Sequence, residues 1–339
     1  MLPFSPSPAF PCTWQVALRD AYYNLIAIID VADVYEPSKD DEAKLVYGTG
    51  DRAHPGVAYL FNEAGKYYVG GTVRGFQLPP HFDFKDYRMT PREVRRSFQT
   101  LGWYKTLAFH TDDALTHSEI ALARTLADDL GAFLLIQPAV GGPALANDVS
   151  YPVRVRCYKA VMEEADQYFD PNAVTLNLAP LATRRAGPRE ALWHAIIRKN
   201  YGASHFVVGR DHAGGLDPFG APFYDPYAAQ ELVASYAEEI GITPVAAPRM
   251  VYALEARRFL PKDAVDGEYK EQSNSDLVDM LRRGQDVPRW FVPPAVVDVL
   301  HTEFPPLRTR GFVLFFTGFS GSGTVALTHF KGGRGLLVY

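Results

Sequence analysis

The chain has 339 residues, 47% of them hydrophobic and 22% charged, with a formal net charge of −5. That length carries two or more domains with cores of their own. A net-negative chain without a basic run argues against a nucleic-acid partner, and no apolar run approaches the ~20 residues that span a bilayer.

The opening MLPFSPSPAFP lacks a basic stretch and its apolar residues are broken by prolines, so it does not read as a signal peptide. Two cysteines, Cys12 and Cys157, are too far apart in sequence to imply a disulfide framework. Both features fit a cytoplasmic protein.

Residues 14 to 78 read as β-rich, because WQVALRD, NLIAIIDVADVY and KYYVGGTVRGFQL carry β-branched and aromatic residues between turn signals. Pro79-Pro80 and HFDFKDYRMTP mark a boundary. Beyond it, helical and strand patterns alternate. A helix over about Pro91 to Leu101 precedes the strand TLAF, and a helix ending at Leu130 precedes AFLLIQP. A helix over about Val153 to Tyr168 leads to AVTLNL, and PREALWHAIIRKN leads to HFVVG. Such alternation implies a mostly parallel sheet covered by helices on both faces. Ligands in that architecture bind where strands end, so the loops of interest follow Phe109, Pro138, Leu178 and Val208. Residues 247 to 304 read as more helical, and Pro305-Pro306-Leu307 as a linker into a last apolar run, GFVLFFT.

Three loops carry chemistry-bearing residues. After Val208 stand Gly209, Arg210, Asp211, His212, Ala213 and Gly214, a turn whose backbone can approach phosphate closely beside charged groups. Arg184 and Arg185 follow a strand end. His194 and Arg198 on the next helix share one face at i and i+4. Guanidinium forks suit sulfate and phosphate oxygens, although an arginine on such a helix is expected to be solvated. The loop from His110 to Glu119 holds two histidines and three carboxylates, but Thr116-His117-Ser118-Glu119 also has the spacing of a capping box. The histidines and carboxylates of that loop suit a metal or acid-base site, but the cap is the favoured reading, two distant cysteines cannot build a metal site alone, and no metal site is expected.

Longer words in the same stretches carry a family resemblance. VYGTGDRAHPGVAYL, LGWYKTLAF, LAPLATRRAGPREALWHAIIRKNYGASHFVVGRDHAG and FYDPYAAQELV resemble ATP sulfurylase, the sulfate adenylyltransferase family, over roughly Trp14 to Leu307. The closing RTRGFVLFFTGFSGSG resembles the start of the adenylylsulfate (APS) kinase domain fused behind sulfurylase in some bacteria. In GFSGSGTV the lysine and hydroxyl of a phosphate loop are replaced by Thr324 and Val325. The 16 residues after Gly323 are too few for a kinase fold, and THFKGGRGLLVY reads as out-of-frame sequence.

The resemblance implies an α/β fold: a truncated PUA-like β domain (1–84), a Rossmann-like nucleotidyltransferase domain (85–246), a small C-terminal subdomain (247–304) and a kinase remnant (305–339). It also implies ATP with Mg2+ as substrate, sulfate and adenylylsulfate as further ligands, and a homodimer or larger homo-oligomer. In the family a Gln-x-Arg-Asn-Pro-x-His-x-x-His loop holds sulfate through its arginine and ATP phosphates through its histidines. Aligned without a gap, its positions read His110, Asp112, Asp113, Ala114, Thr116 and Glu119 here. Arg184 and the whole Gly209–Gly214 loop match the family, whereas its later Ser-Gly-Thr turn reads Ser273-Asn274-Ser275. The resemblance thus implies sulfate adenylyltransferase chemistry with impaired catalysis, or a catalytically silent nucleotide-binding or assembly domain. Arg184 and Arg210 are the remaining candidate catalytic residues.

Overall fold

The computed structural model of the chain describes residues 14–20, 22–141, 149–217, 219–305 and 311. The GFSGSGTV loop and everything after it lie outside the described residues. In chain order the strands are β1 (Gln15–Arg19), β2 (Leu25–Tyr35), β3 (Tyr68–Gly75), β4 (Thr106–Phe109), β5 (Phe133–Ile136), β6 (Ala139–Gly141) and β7 (Val174–Leu176). There follow β8 (Ala179–Ala182), β9 (His205–Val208), β10 (Thr243–Ala246), β11 (Met250–Ala253), β12 (Arg258–Pro261) and β13 (Tyr269–Lys270).

The first three strands form an antiparallel sheet, β1-β2-β3. The segment between β2 and β3 is not extended as the β-rich reading expects, for it holds a π-helical stretch Ala43–Tyr47 and the helix Pro55–Asn62. That helix has proline in its first turn, where the missing N–H is no loss. The ring of His54 caps it by accepting from the Gly56 and Val57 N–H groups.

The central sheet has the order β10-β9-β4-β5-β7 and is parallel throughout. The chain builds outward from β4 to β5 and β7, then returns to lay β9 on the other side of β4. The order therefore reverses between β4 and β9, and a crevice opens there at the C-terminal strand ends. Period-two alternation divides each strand between two cores. Leu107 and Phe109 of β4 face a core with the helices His117–Leu130 and Tyr151–Glu163. Ala108 faces a core with the helices Pro91–Leu101, Pro188–Asn200 and Ala228–Ser235.

The segment 247–304, read from the sequence as more helical, also holds a sheet. β11, β12 and β13 make an antiparallel sheet in the order β12-β11-β13 before the helices Asn274–Arg283 and Pro294–Leu300. The strands are only two to four residues long, too short for a period-two pattern to show in the sequence. Among the described residues no helix is long and apolar enough to cross a membrane.

One glycine fixes how the Arg184–Arg185 loop enters its helix. Gly187 has φ +56° and ψ −124°, a region closed to residues with a Cβ, and a Cβ there would lie 2.5 Å from the Tyr224 ring. Gly187→Ala is expected to destabilise the protein by more than ~1 kcal/mol, read as a lower urea midpoint. An unchanged midpoint would contradict this account of the turn.

Candidate nucleotide site

Both loops that flank the β4/β9 crevice carry residues singled out from the sequence. His110 follows β4 directly, and Gly209 follows β9. Between them lies a buried polar cluster centred on Arg198, whose side chain is fully buried. The expectation that Arg198 is solvated is therefore wrong: it and His194 on the same helix face are both 0% exposed. The helix Pro188–Asn200 packs that face beneath the crevice because its small residues, Ala191 and Ala195, let it approach the sheet.

Arg198 Nη2 donates to His110 Nδ1 at 2.8 Å and to the Gln137 carbonyl at 3.2 Å. Burial lowers its pKa to about 9, which leaves it cationic at neutral pH. The three histidines respond in kind. Burial holds His110 and His212 well below the usual imidazole range, and each is pushed further down by His194 and Arg198. Burial also lowers His194, against the pull of Glu190.

Their proton positions follow from the fixed donors. Gly209 N–H donates to His212 Nδ1 at 3.4 Å, so a neutral His212 carries its proton on Nε2. That proton faces His194 Nδ1 at 3.1 Å. His194 then carries its own on Nε2, 3.5 Å from Glu190 Oε1, an electrostatic contact longer than a made hydrogen bond. Glu190 accepts from the backbone N–H groups of Arg184 (2.8 Å) and Ala186 (2.9 Å). Burial raises its pKa, but His194 and those two amides outweigh burial and leave it lowered. A continuous path of polar contacts thus joins the Gly209–Gly214 loop to the Arg184–Arg185 loop.

His110, His194 and His212 have ring nitrogens within 4.8 Å of one another, a spacing open to a metal ion. The donor set does not fit one. Nδ1 of His110 and of His212 each accept from an N–H, the facing nitrogens of His194 and His212 share one proton, and a guanidinium adjoins His110. A divalent cation would meet that guanidinium's charge and break the network.

The predicted binding residues divide. Arg210 is half-exposed and its Nε pairs with Asp211 at 2.8 Å. Asp211 and Ala213 adopt positive φ (56° and 51°), which curls the loop, and Gly187 N–H ties it down at the Ala213 carbonyl, 2.9 Å away. His212 turns inward, 8% exposed, and anchors the loop. Arg184 is exposed. Arg185 has φ 59°, and its Nη2 lies 3.3 Å from Asp112 Oδ2. The carbonyl of Asp112 accepts from Arg154, and that of Asp113 accepts from the Tyr158 hydroxyl at 2.6 Å. Thr116 and Glu119 form the expected capping box. Thr116 N–H donates to Glu119 Oε2 at 3.1 Å, and Thr111 Oγ1 donates to Oε1 at 3.0 Å.

Sequence reasoning missed His54, Gln137, Arg185's partner and Glu190. His54 Nε2 lies 2.9 Å from the Arg185 carbonyl and 3.0 Å from the Tyr224 hydroxyl. It therefore holds the arginine loop from a segment more than a hundred residues away in sequence. The one local signal was its place before Pro55, at a helix start.

The chain matches known proteins over most of its length. The ATP-sulfurylase family model matches residues 85–303, and a PUA-like domain model matches residues 12–78. A sulfate adenylyltransferase from Schizosaccharomyces pombe is 45% identical over 305 residues, 88% of this chain and 61% of that protein. One from Phaeosphaeria nodorum is 43% identical over 318 residues, 92% of this chain and 54% of that protein. The chain thus spans about half the length of the curated relatives it matches. Among solved structures, a hexameric APS kinase from Thiobacillus denitrificans superposes with a TM-score of 0.71 at 27% identity, over 95% of this chain and 55% of that one.

Glu119 gives the site a pH signature. Burial, and then Asp113, raise its pKa to about 7 from an ordinary 4.5. The folded state then holds a proton that the unfolded state releases, so this group's contribution to stability falls as pH rises from about 4.5 to about 7. Glu119→Gln is expected to flatten the urea midpoint across that window. A variant whose pH profile matches the parent's would contradict the assignment.

Proposed function

The chain belongs to the ATP-sulfurylase family, and on that premise we propose that it is a sulfate adenylyltransferase-like protein whose nucleotide site is retained and whose transfer to sulfate is impaired. In the reaction, a sulfate oxygen attacks the α-phosphorus of ATP, the bond to the β-phosphate oxygen breaks, and pyrophosphate leaves with adenylylsulfate formed. ATP and pyrophosphate carry Mg2+ as a counter-ion of the substrate. The protein's task is to hold two anions in line and to offset the charge that develops.

The observation that carries the reading is the Asp112–Arg185 ion pair, 3.3 Å apart. The family offers sulfate an arginine at position 112. Here that position presents a carboxylate, which also engages the guanidinium of Arg185. A like charge at ~4 Å and an effective dielectric near 20 costs roughly 4 kcal/mol, on the order of a thousandfold in rate. At the family's two phosphate-binding histidine positions, Thr116 and Glu119 are committed to the helix cap. The Gly209–Gly214 loop, by contrast, keeps its full motif and presents Arg210 at its rim. Weak binding of ATP or adenylylsulfate through that loop follows, with Arg184 and Arg210 as the cations nearest the phosphates.

A second reading, a catalytically silent domain that serves assembly, is favoured by the likeness to a structure titled a hexameric APS kinase. On either reading the chain acts as a homo-oligomer.

Pyrophosphate release from ATP and sulfate is expected near background. Calorimetry should give weak ATP binding that Arg210→Ala weakens further. Asp112→Arg alone should recover little, because the new arginine faces Arg185 across the gap that the ion pair now spans. Arginine at 112, asparagine at 113 and histidines at 116 and 119 together should restore measurable turnover, at a stability cost of ~1 kcal/mol for the lost cap. Robust sulfate-dependent turnover by the unmodified chain would overturn the proposal of impaired catalysis. No heat at millimolar ATP would leave the assembly reading alone.

A further inference from the structure

A second concentration of positive charge lies away from the β4/β9 crevice. The helix His117–Leu130 and the hairpin β11–β12 line a cleft of about 550 Å3, with Arg289 and Trp290 also in its wall. Four arginines line it, Arg124, Arg257, Arg258 and Arg289, against one lining carboxylate, Asp128. Asp128 is already paired with Arg124, at 3.5 Å. The other three arginines have no ion-pair partner among the described residues, on a chain whose net charge is −5. Three unpaired like charges around one cavity repel each other, and an anion in the cavity relieves all three at once.

Two further observations set the cleft apart from a chance cluster of surface arginines. Arg257 sits at φ +50°, a left-handed conformation that hairpin turns ordinarily assign to glycine or asparagine. A bulky cation held there is a strained choice of the kind that marks binding sites. The wall behind the arginines is also fixed. The Trp290 ring packs on Tyr252 with centroids 4.9 Å apart, and Phe291 accepts through its carbonyl from His117 N–H at 2.9 Å. The loop carrying Arg289 is thereby tied to the helix that carries Arg124.

We propose that this cleft is a binding site for a di- or triphosphate chain, held by Arg257, Arg258 and Arg289 and backed by the Trp290 wall. Its size suits a small ligand and it lies between two structural layers, a common place for such sites. Guanidinium forks bind phosphate oxygens bidentately, and three of them match a chain with several charged oxygens. The site shares no lining residue with the Gly209–Gly214 or Arg184–Arg185 loops, so it stands or falls independently of the proposed nucleotide site.

The test is calorimetry on the full chain with two probes, inorganic tripolyphosphate and ATP, for the parent, an Arg257→Glu/Arg258→Glu variant and Arg210→Ala. All three arginines concerned are exposed, so these variants should keep the parent's unfolding midpoint. Tripolyphosphate should bind the parent, weaken as salt is raised, lose at least tenfold in affinity in the double variant and be unchanged in Arg210→Ala. ATP binding with the same dependence, but no tripolyphosphate binding, would assign the site to nucleotides and still support it. Binding of neither probe, or binding that the double variant leaves intact, would overturn it.

Discussion

A fully buried guanidinium governs the middle of this molecule. Arg198 has two acceptors, one on the loop after β4 and one on the loop after β5. Taking a cation out of water costs several kcal/mol unless acceptors surround it, so the two strand ends cannot move apart without exposing that cost. Burial, reinforced by that charge, keeps the three neighbouring imidazoles neutral, and neutrality sets their proton positions. From that follows the ordered run of contacts from Gly209 through His212 and His194 to Glu190. The cluster is thus a structural post beneath the crevice. It positions the arginine loop and the Gly209–Gly214 loop relative to each other.

Beside this post the Gly209–Gly214 loop keeps the residues of the resembled motif, while the loop after β4 does not. Arg185 is held in a left-handed conformation, its carbonyl bound by His54 and its backbone neighbours bound by Glu190. Its side chain is thereby aimed at Asp112. The loop after β4 is itself immobilised by Arg154 and Tyr158, which donate to its carbonyls. Asp112 is consequently a fixed charge.

Much of this was legible in the sequence. The parallel sheet was readable because TLAF, FLLI and HFVV are short apolar runs bounded by helical periodicity, and because buried strands need no alternation. The Thr116–Glu119 box was readable since capping is local chemistry. What was not legible depends on distant partners. Arg198 reads as a surface residue because its acceptors lie 88 and 61 residues away. The antiparallel sheet within 247–304 was hidden because its strands span only two to four residues, too few for a period-two pattern to show. The family resemblance supplied the register that exposed Asp112, yet its partner Arg185 emerged only from the fold.

The central proposal is that position 112, where the resemblance puts the family's sulfate-binding arginine, is taken up by an internal ion pair with Arg185. Equilibrium dialysis with radiolabelled sulfate, with and without a non-hydrolysable ATP analogue, tests it most directly. The account predicts no saturable sulfate binding at millimolar concentrations in either condition. Saturable sulfate binding that strengthens when the analogue is present would contradict it.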